Sequence, residues 1–146
     1  MKITVEENPE LNDVEVLFRA PRLDAEVIEA ISRLRIFDQK LTGLAEDGSI
    51  HIVAASEILY FESVDKKTFF YTAQHVRETP MRLYEIEDKL SGCGFVRTGK
   101  STVINLKEVT SLKSDIGGKM LATLSNGERT IISRAYAPEV KRLLGL

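Results

Sequence analysis

A mainly β fold, built of antiparallel β-sheets with short helices, is predicted for this 146-residue chain by three features of its sequence. Short runs alternate apolar with polar residues, the period of a half-buried strand. Several of these runs are joined at Asp47-Gly48, Gly117-Gly118 and Asn126-Gly127, dipeptides whose easy positive φ suits tight hairpins. Strands joined so closely must be antiparallel, because a parallel pair needs a crossover of about a dozen residues or more.

In chain order, "KITVEE" and "VEVLFRA" alternate and are predicted as short strands. "LDAEVIEAISRLRIF" follows with Val27, Ile31 and Leu34 on one helical stripe, Ile28 beside them and Asp24 as N-cap. Residues 1–39 therefore form a strand–strand–helix N-terminal extension, too small to bury a core alone and expected to dock on the rest of the chain or on a second copy. From residue 40 the period changes, and residues 40–146 make the second unit. "KLTGLAEDGSIHIV" is a hairpin about Asp47-Gly48, and "EILYFESVDKKTFFYTAQHV" gives a further strand pair about the polar tip Asp65-Lys66-Lys67. "TPMRLYEIEDKLSG" is predicted as a helix of about three turns. Thr79 caps it, Pro80 takes its first position and Gly92 closes it. "VTSLK", "KMLATLS" and "RTIIS" return to strands, and "YAPEVKRLLGL" ends in a helix starting near Pro138.

Composition narrows the class: 43% apolar and 29% charged residues are ordinary for a globular domain with a real core. No apolar run approaches the roughly 18 residues that span a bilayer, and "MKITVEENPE" lacks the apolar stretch of a signal peptide, so the expected address is the cytoplasm, with no membrane insertion. Cys93 is the sole cysteine, and His51 and His75 the only histidines; no disulfide framework or zinc cluster can form, and no cofactor is expected. Charge is uneven along the chain. Residues 1–39 carry five Lys/Arg against nine Asp/Glu, residues 40–91 six against nine, and residues 92–146 nine against four. A basic last third points to an anionic partner.

Gly94–Ser101 spells G-x-x-x-x-G-K-[ST], the pattern of a nucleotide-phosphate loop. Such a loop needs a buried strand before it and a helix starting at its Lys-Ser, so that backbone N–H groups and the helix N-terminus face the anion. Here both flanks are reversed. A helix ending in "KLSG" precedes the segment, and "STVINL", rich in β-branched residues, follows it. The 45 residues after Ser101 read as hairpins and leave no room for the crossovers of a doubly wound sheet.

Taken together, "ILYFESVDKKTFFYT", the helix ending "YEIEDKL", "GFVRTGKSTVINLKEVTSL" and "GERTIISRAYAPEVKRLL" resemble the LytTR-type DNA-binding domain of bacterial transcription regulators, from about Lys40 to Leu144. The most specific part is Phe95-Val96-Arg97-x-x-Lys100-Ser101-x-Val103-Ile104-Asn105-Leu106, followed by Ser133-Arg134. The resemblance implies antiparallel sheets and a homodimer on double-stranded DNA. It also implies loops, rather than a recognition helix, entering successive major grooves of promoter direct repeats. Carried over by residue, Lys66, Lys67 and Thr68 match one DNA-facing loop, Arg97, Thr98, Gly99, Lys100 and Ser101 a second, and Arg134 with Ala135 a third. Arg97, Lys100 and Arg134 suit charge-assisted bonds to phosphate or guanine, the hydroxyls of Thr68, Thr98 and Ser101 suit added contacts, and Gly99 would let the backbone approach the duplex. Lys113, Lys119 and Arg129 are candidates for flanking phosphates on charge alone. Asn105 suits a structural, backbone-bonding role. Two positions depart from the family: Ala135 stands where many relatives have a second basic residue, and Pro138 interrupts the last helix.

The expected function is therefore a sequence-specific DNA-binding transcriptional regulator without catalytic activity. The alternatives are a nucleotide-binding protein using Gly94–Ser101 and a protein-interaction module on the same fold. Residues 1–39 are too short for a phosphorylatable receiver domain; they are expected to mediate self-association or to meet a regulatory protein.

Overall fold

The computed structural model describes residues 1–146. Ten strands and three helices follow one another as α1 (Ala25–Phe37), β1 (Lys40–Leu44), β2 (Ile50–Ala54), β3 (Tyr60–Val64), β4 (Lys67–Tyr71), β5 (Val76–Thr79), α2 (Leu83–Lys89), β6 (Phe95–Gly99), β7 (Thr102–Asn105), β8 (Val109–Ser114), β9 (Met120–Leu124), β10 (Arg129–Ile132) and α3 (Ala137–Leu143). Seven strands form one sheet in the order β2-β1-β5-β4-β3-β7-β6, and three form a second in the order β10-β9-β8. Every pairing is antiparallel, as the short turns require.

Register decides which side chains share a core. Phe61 lies opposite Phe70 and also opposite Val103, so all three project from one face. They pack with Ile36 of α1 and with Leu83, Ile86 and Leu90 of the α2 region. The ring of Phe61 meets Phe70 and Phe95 edge-on, at centroid separations of 6.1 and 5.7 Å. Tyr60 and Ile104, opposite each other on the reverse face, join Met120, Ala122, Leu124 and Ile132 of the second sheet and Val140 of α3. The large sheet is thus packed between helices on one side and a smaller sheet with α3 on the other.

Local signals fall largely where expected. Asp24 caps α1 by accepting from the Val27 N–H at 3.1 Å, and the β1–β2 turn holds Gly48 at φ +83°. Buried Asn105 is structural: its amide donates to the Ile58 carbonyl at 3.0 Å and its oxygen accepts from the Lys107 N–H at 3.2 Å. Pro138 lies in the first turn of α3, where its missing N–H costs nothing.

Two expectations are corrected. The α2 helix begins at Leu83 rather than Pro80, because Thr79 is claimed by β5, where it pairs with Thr68 and is buried. The segments 2–7 and 14–20 are not strands in the single chain: residues 1–24 contain no helix or strand, and all are exposed. Alternation makes a chain able to form a strand, but a lone two-stranded ribbon is marginal in water, and no third strand of this chain reaches them.

Candidate nucleic-acid interface

Three loops distant in sequence meet at one end of the large sheet. The β3–β4 tip is a two-residue turn with Asp65 at φ +50° and Lys66 at φ +65°, which presents Lys66 and Lys67 to solvent. The β6–β7 tip is Lys100-Ser101. It lies beside the first because β7 runs antiparallel to β3, with Thr102 opposite Glu62, and the Ser63 N–H donates to the Ser101 carbonyl at 2.9 Å. Between Arg97 and Gly99 the β6–β7 register shifts at a bulge, leaving Thr98 without a partner in β7. Its carbonyl instead accepts from the Ser133 N–H at 2.9 Å, which brings Ser133-Arg134 to the same end.

Arg97 organises the middle loop from within. Its guanidinium donates through Nε to the Gly99 carbonyl at 2.7 Å, through Nη1 to Glu87 of α2 at 2.9 Å, and through Nη2 to the Lys100 carbonyl. With its side chain only 22% exposed and three of its N–H donors engaged inside the protein, Arg97 fixes the turn that carries Lys100. Lys66, Lys67, Lys100 and Arg134 are exposed and take part in no ion pair. The stem of Arg134 crosses Gly118 (φ +83°), where a Cβ would sit 3.2 Å from Arg134 Cγ, so a glycine there makes room for it. Lys113 and Lys119 flank that β8–β9 tip and are likewise exposed.

The structure brings together Lys66, Lys67, Arg97, Gly99, Lys100, Ser101 and Arg134, and withdraws two of the residues expected to face DNA. Thr68 is 6% exposed in β4, and Thr98 is fully buried with its hydroxyl unpartnered, so neither hydroxyl is offered at the surface. Both lie beside the loops that carry the exposed cations but face inward. Arg129 opens β10 beside Thr123, at the opposite end of the small sheet from the Ile132–Met120 pair that adjoins Arg134. Sequence reasoning missed Glu87, which holds Arg97, and Ser63, whose backbone ties two loops. Nothing in a linear pattern marks either, since one contact joins a helix to a strand and the other uses only main chain.

Electrostatics sharpen the contrast between the two ends. At the far end of the large sheet, Tyr60 stacks on Tyr71 at 4.3 Å, and burial together with Glu128 raises the Tyr60 phenol well above its ordinary range. Burial, assisted by the repulsion of Arg33, lowers the Lys107 ammonium below its usual range. Cys93 is buried and its thiol is pushed upward by that burial, which keeps it from nucleophile chemistry. The Gly94–Ser101 stretch is strand, bulge and turn followed by strand, with no helix at Lys100, so its main chain is engaged in sheet pairing rather than arranged around a phosphate group. A cleft of about 660 Å³, lined by His51, Glu57, His75 and Arg77 among others, touches none of those residues. No grouping of His, Cys, Asp and Glu is suited to a metal ion, and no helix is long and apolar enough to cross a membrane.

The fold is an antiparallel β-domain that gathers unpaired cations on three neighbouring loops. The chain belongs to the LytTr DNA-binding domain family, whose model matches residues 48–145. A solved LytTr DNA-binding domain from Bacillus cereus superposes with a TM-score of 0.70 at 28% identity, covering 75% of this chain and 99% of that one. Among curated proteins, an uncharacterized HTH-type transcriptional regulator of Staphylococcus aureus strain MSSA476 is 25% identical over 147 residues, covering 100% of this chain and 99% of its own. Its counterpart in strain MRSA252 is 24% identical over the same span. Those names specify a helix-turn-helix; in this chain the helices are separated by strands throughout.

Proposed function

We propose that this chain is a sequence-specific DNA-binding transcriptional regulator, and that two copies insert their loop clusters into successive major grooves of a promoter direct repeat. The observation that carries this reading is the convergence of Lys66-Lys67, Lys100-Ser101 and Arg134 on one edge through two main-chain hydrogen bonds. Separate surface lysines are weak evidence of any partner, but cations on three tethered loops present a fixed pattern to a rigid polyanion. In this division of labour Lys66, Lys67 and Lys100 neutralise phosphates, and Arg134, whose planar fork can pair with guanine O6 and N7, reads bases. Arg97 positions Lys100 and does not itself reach DNA. Residues 40–146 carry the binding; the acidic extension at 1–39 does not.

Membership of a DNA-binding family and the transcriptional-regulator names of the relatives support the reading. Selection of bound duplexes from a random pool tests it. Enrichment of two copies of one short motif in the same orientation, spaced by about one helical turn, is expected. Failure to enrich any motif would leave an interaction module on the same fold as the better account.

A further inference from the structure

The segment Val14-Glu15-Val16-Leu17-Phe18-Arg19-Ala20 lies in a region whose main chain is almost wholly unpaired: before Asp24, the backbone makes one backbone–backbone hydrogen bond, from Leu11 N–H to the Asn8 carbonyl. Its apolar side chains are open to water, with Val14 85%, Val16 60% and Leu17 74% exposed. The segment is also a palindrome in chemistry about Leu17. Laid antiparallel on a second copy of itself with Leu17 opposite Leu17, it sets Val16 against Phe18, Val14 against Ala20, and Glu15 against Arg19. Directly opposed residues share a face, so one side of the pair is Val14, Val16, Phe18 and Ala20 from both copies, wholly apolar. The other side carries two Glu–Arg pairs of opposite charge flanking the leucines.

We propose that the extension is a homodimerisation element, in which Val14–Ala20 pairs with itself across a two-fold axis at Leu17 and residues 2–7 of each copy add as the outer strands. A hairpin of 2–7 on 14–20 does not form in one chain, since two strands alone are marginal; four strands with an apolar face pass that threshold. Leu34 and Phe37 of α1, one turn apart and 46% and 79% exposed, supply apolar surface to cover that face. The surplus of acids over bases in residues 1–39 rules out DNA as the occupant, and the matched Glu15 and Arg19 favour an identical chain over an unrelated one. The pairing is isologous, so it closes at two copies.

The full chain without DNA, examined by sedimentation equilibrium at micromolar concentration, is expected to be a dimer. Leu17→Cys is expected to form an inter-chain disulfide on mild oxidation, because the two-fold axis places each Cys against its mate, while Cys93 is buried. Arg19→Glu sets like charges opposite each other twice and is expected to weaken the dimer about tenfold. Glu15→Arg combined with Arg19→Glu restores it. The cooperative thermal unfolding of the two cores should be unchanged throughout, as these residues lie outside both, whereas the β-signal of the extension should fall with the dimer. A monomeric wild-type chain overturns the proposal, and so does a dimer that neither cross-links at residue 17 nor responds to charge reversal. Because the readout needs no DNA, its failure is separate from failure of the DNA-binding reading.

Discussion

Compare "KTFFY" at 67–71 with "VEVLF" at 14–18: each is a short run of β-branched and aromatic residues with a charge inside or at its edge. The first is β4, a central strand with β3 on one side and β5 on the other, and its Phe70 is fully buried. The second has no neighbour on either side, and its Phe18 is 37% exposed. Sequence pattern sets which faces a strand would have. What makes it a strand is a second chain segment able to satisfy its N–H and C=O groups, and that is a property of topology rather than of the run itself.

The widest separation between these regions is energetic. Phe70→Ala removes a ring from a closed core and is expected to destabilise the chain by about 3–5 kcal/mol. Phe18→Ala, measured below the concentration at which the chain associates, is expected to stay within about 0.5 kcal/mol of wild type. Urea denaturation followed by circular dichroism gives both values. A large cost at Phe18 would mean that the segment packs within its own chain, and the contrast would collapse.

A second comparison lies inside the basic edge, between Arg97 and Lys100. Arg97 is a clamp with three internal acceptors, one of them the carbonyl of Lys100. Arg97→Lys cannot reproduce a planar fork that reaches Glu87 and two carbonyls at once, so about 1–3 kcal/mol of stability and a comparable share of DNA affinity should be lost. The salt dependence of binding should be nearly unchanged, because no phosphate contact disappears. Lys100→Ala should do the reverse: little change in the melting curve, weaker binding at every sequence, and a fall of about one in the slope of log K against log salt. Titrations at several salt concentrations check the pair together. A slope change at Arg97 but not at Lys100 would exchange their roles.

Much of the fold was legible because turns declare themselves locally: Asp47-Gly48 and Asn126-Gly127 are both hairpin turns with their glycines at positive φ. The β5 strand was not, since "VRET" is too short and polar to show alternation and is held by β4 and β1 on either side. Of the candidate site, the loops that converge could be named from the sequence, but the side-chain directions could not. Thr68 and Thr98 sit beside the converging loops but face inward, because register and one bulge, invisible to spacing, decide which residues reach the surface. The Arg97–Glu87 pair was beyond reach for a related reason: it joins α2 and β6, whose relative placement is fixed by Ile86 and Phe95 packing in a common core.

Gly99 gives the finest discrimination. A glycine in a conspicuous loop has two explanations, a backbone angle that other residues avoid or a neighbour that leaves no room for a side chain. Neither holds inside this molecule: Gly99 is not at positive φ, and a Cβ built on it meets nothing within 4 Å. Gly99→Ala should therefore leave the fold intact and, by restricting the unfolded chain, change stability by about +0.4 to +1 kcal/mol. If the main chain at this turn lies against a DNA backbone, the added methyl falls in that contact, and affinity should drop while the salt slope stays as it was. Calorimetry and binding titrations on the same sample separate the two effects. Unchanged affinity would place the duplex farther from the β6–β7 tip and leave the contact there to the long side chain of Lys100; reduced affinity in a protein more stable than wild type would assign the glycine to its partner rather than to its fold.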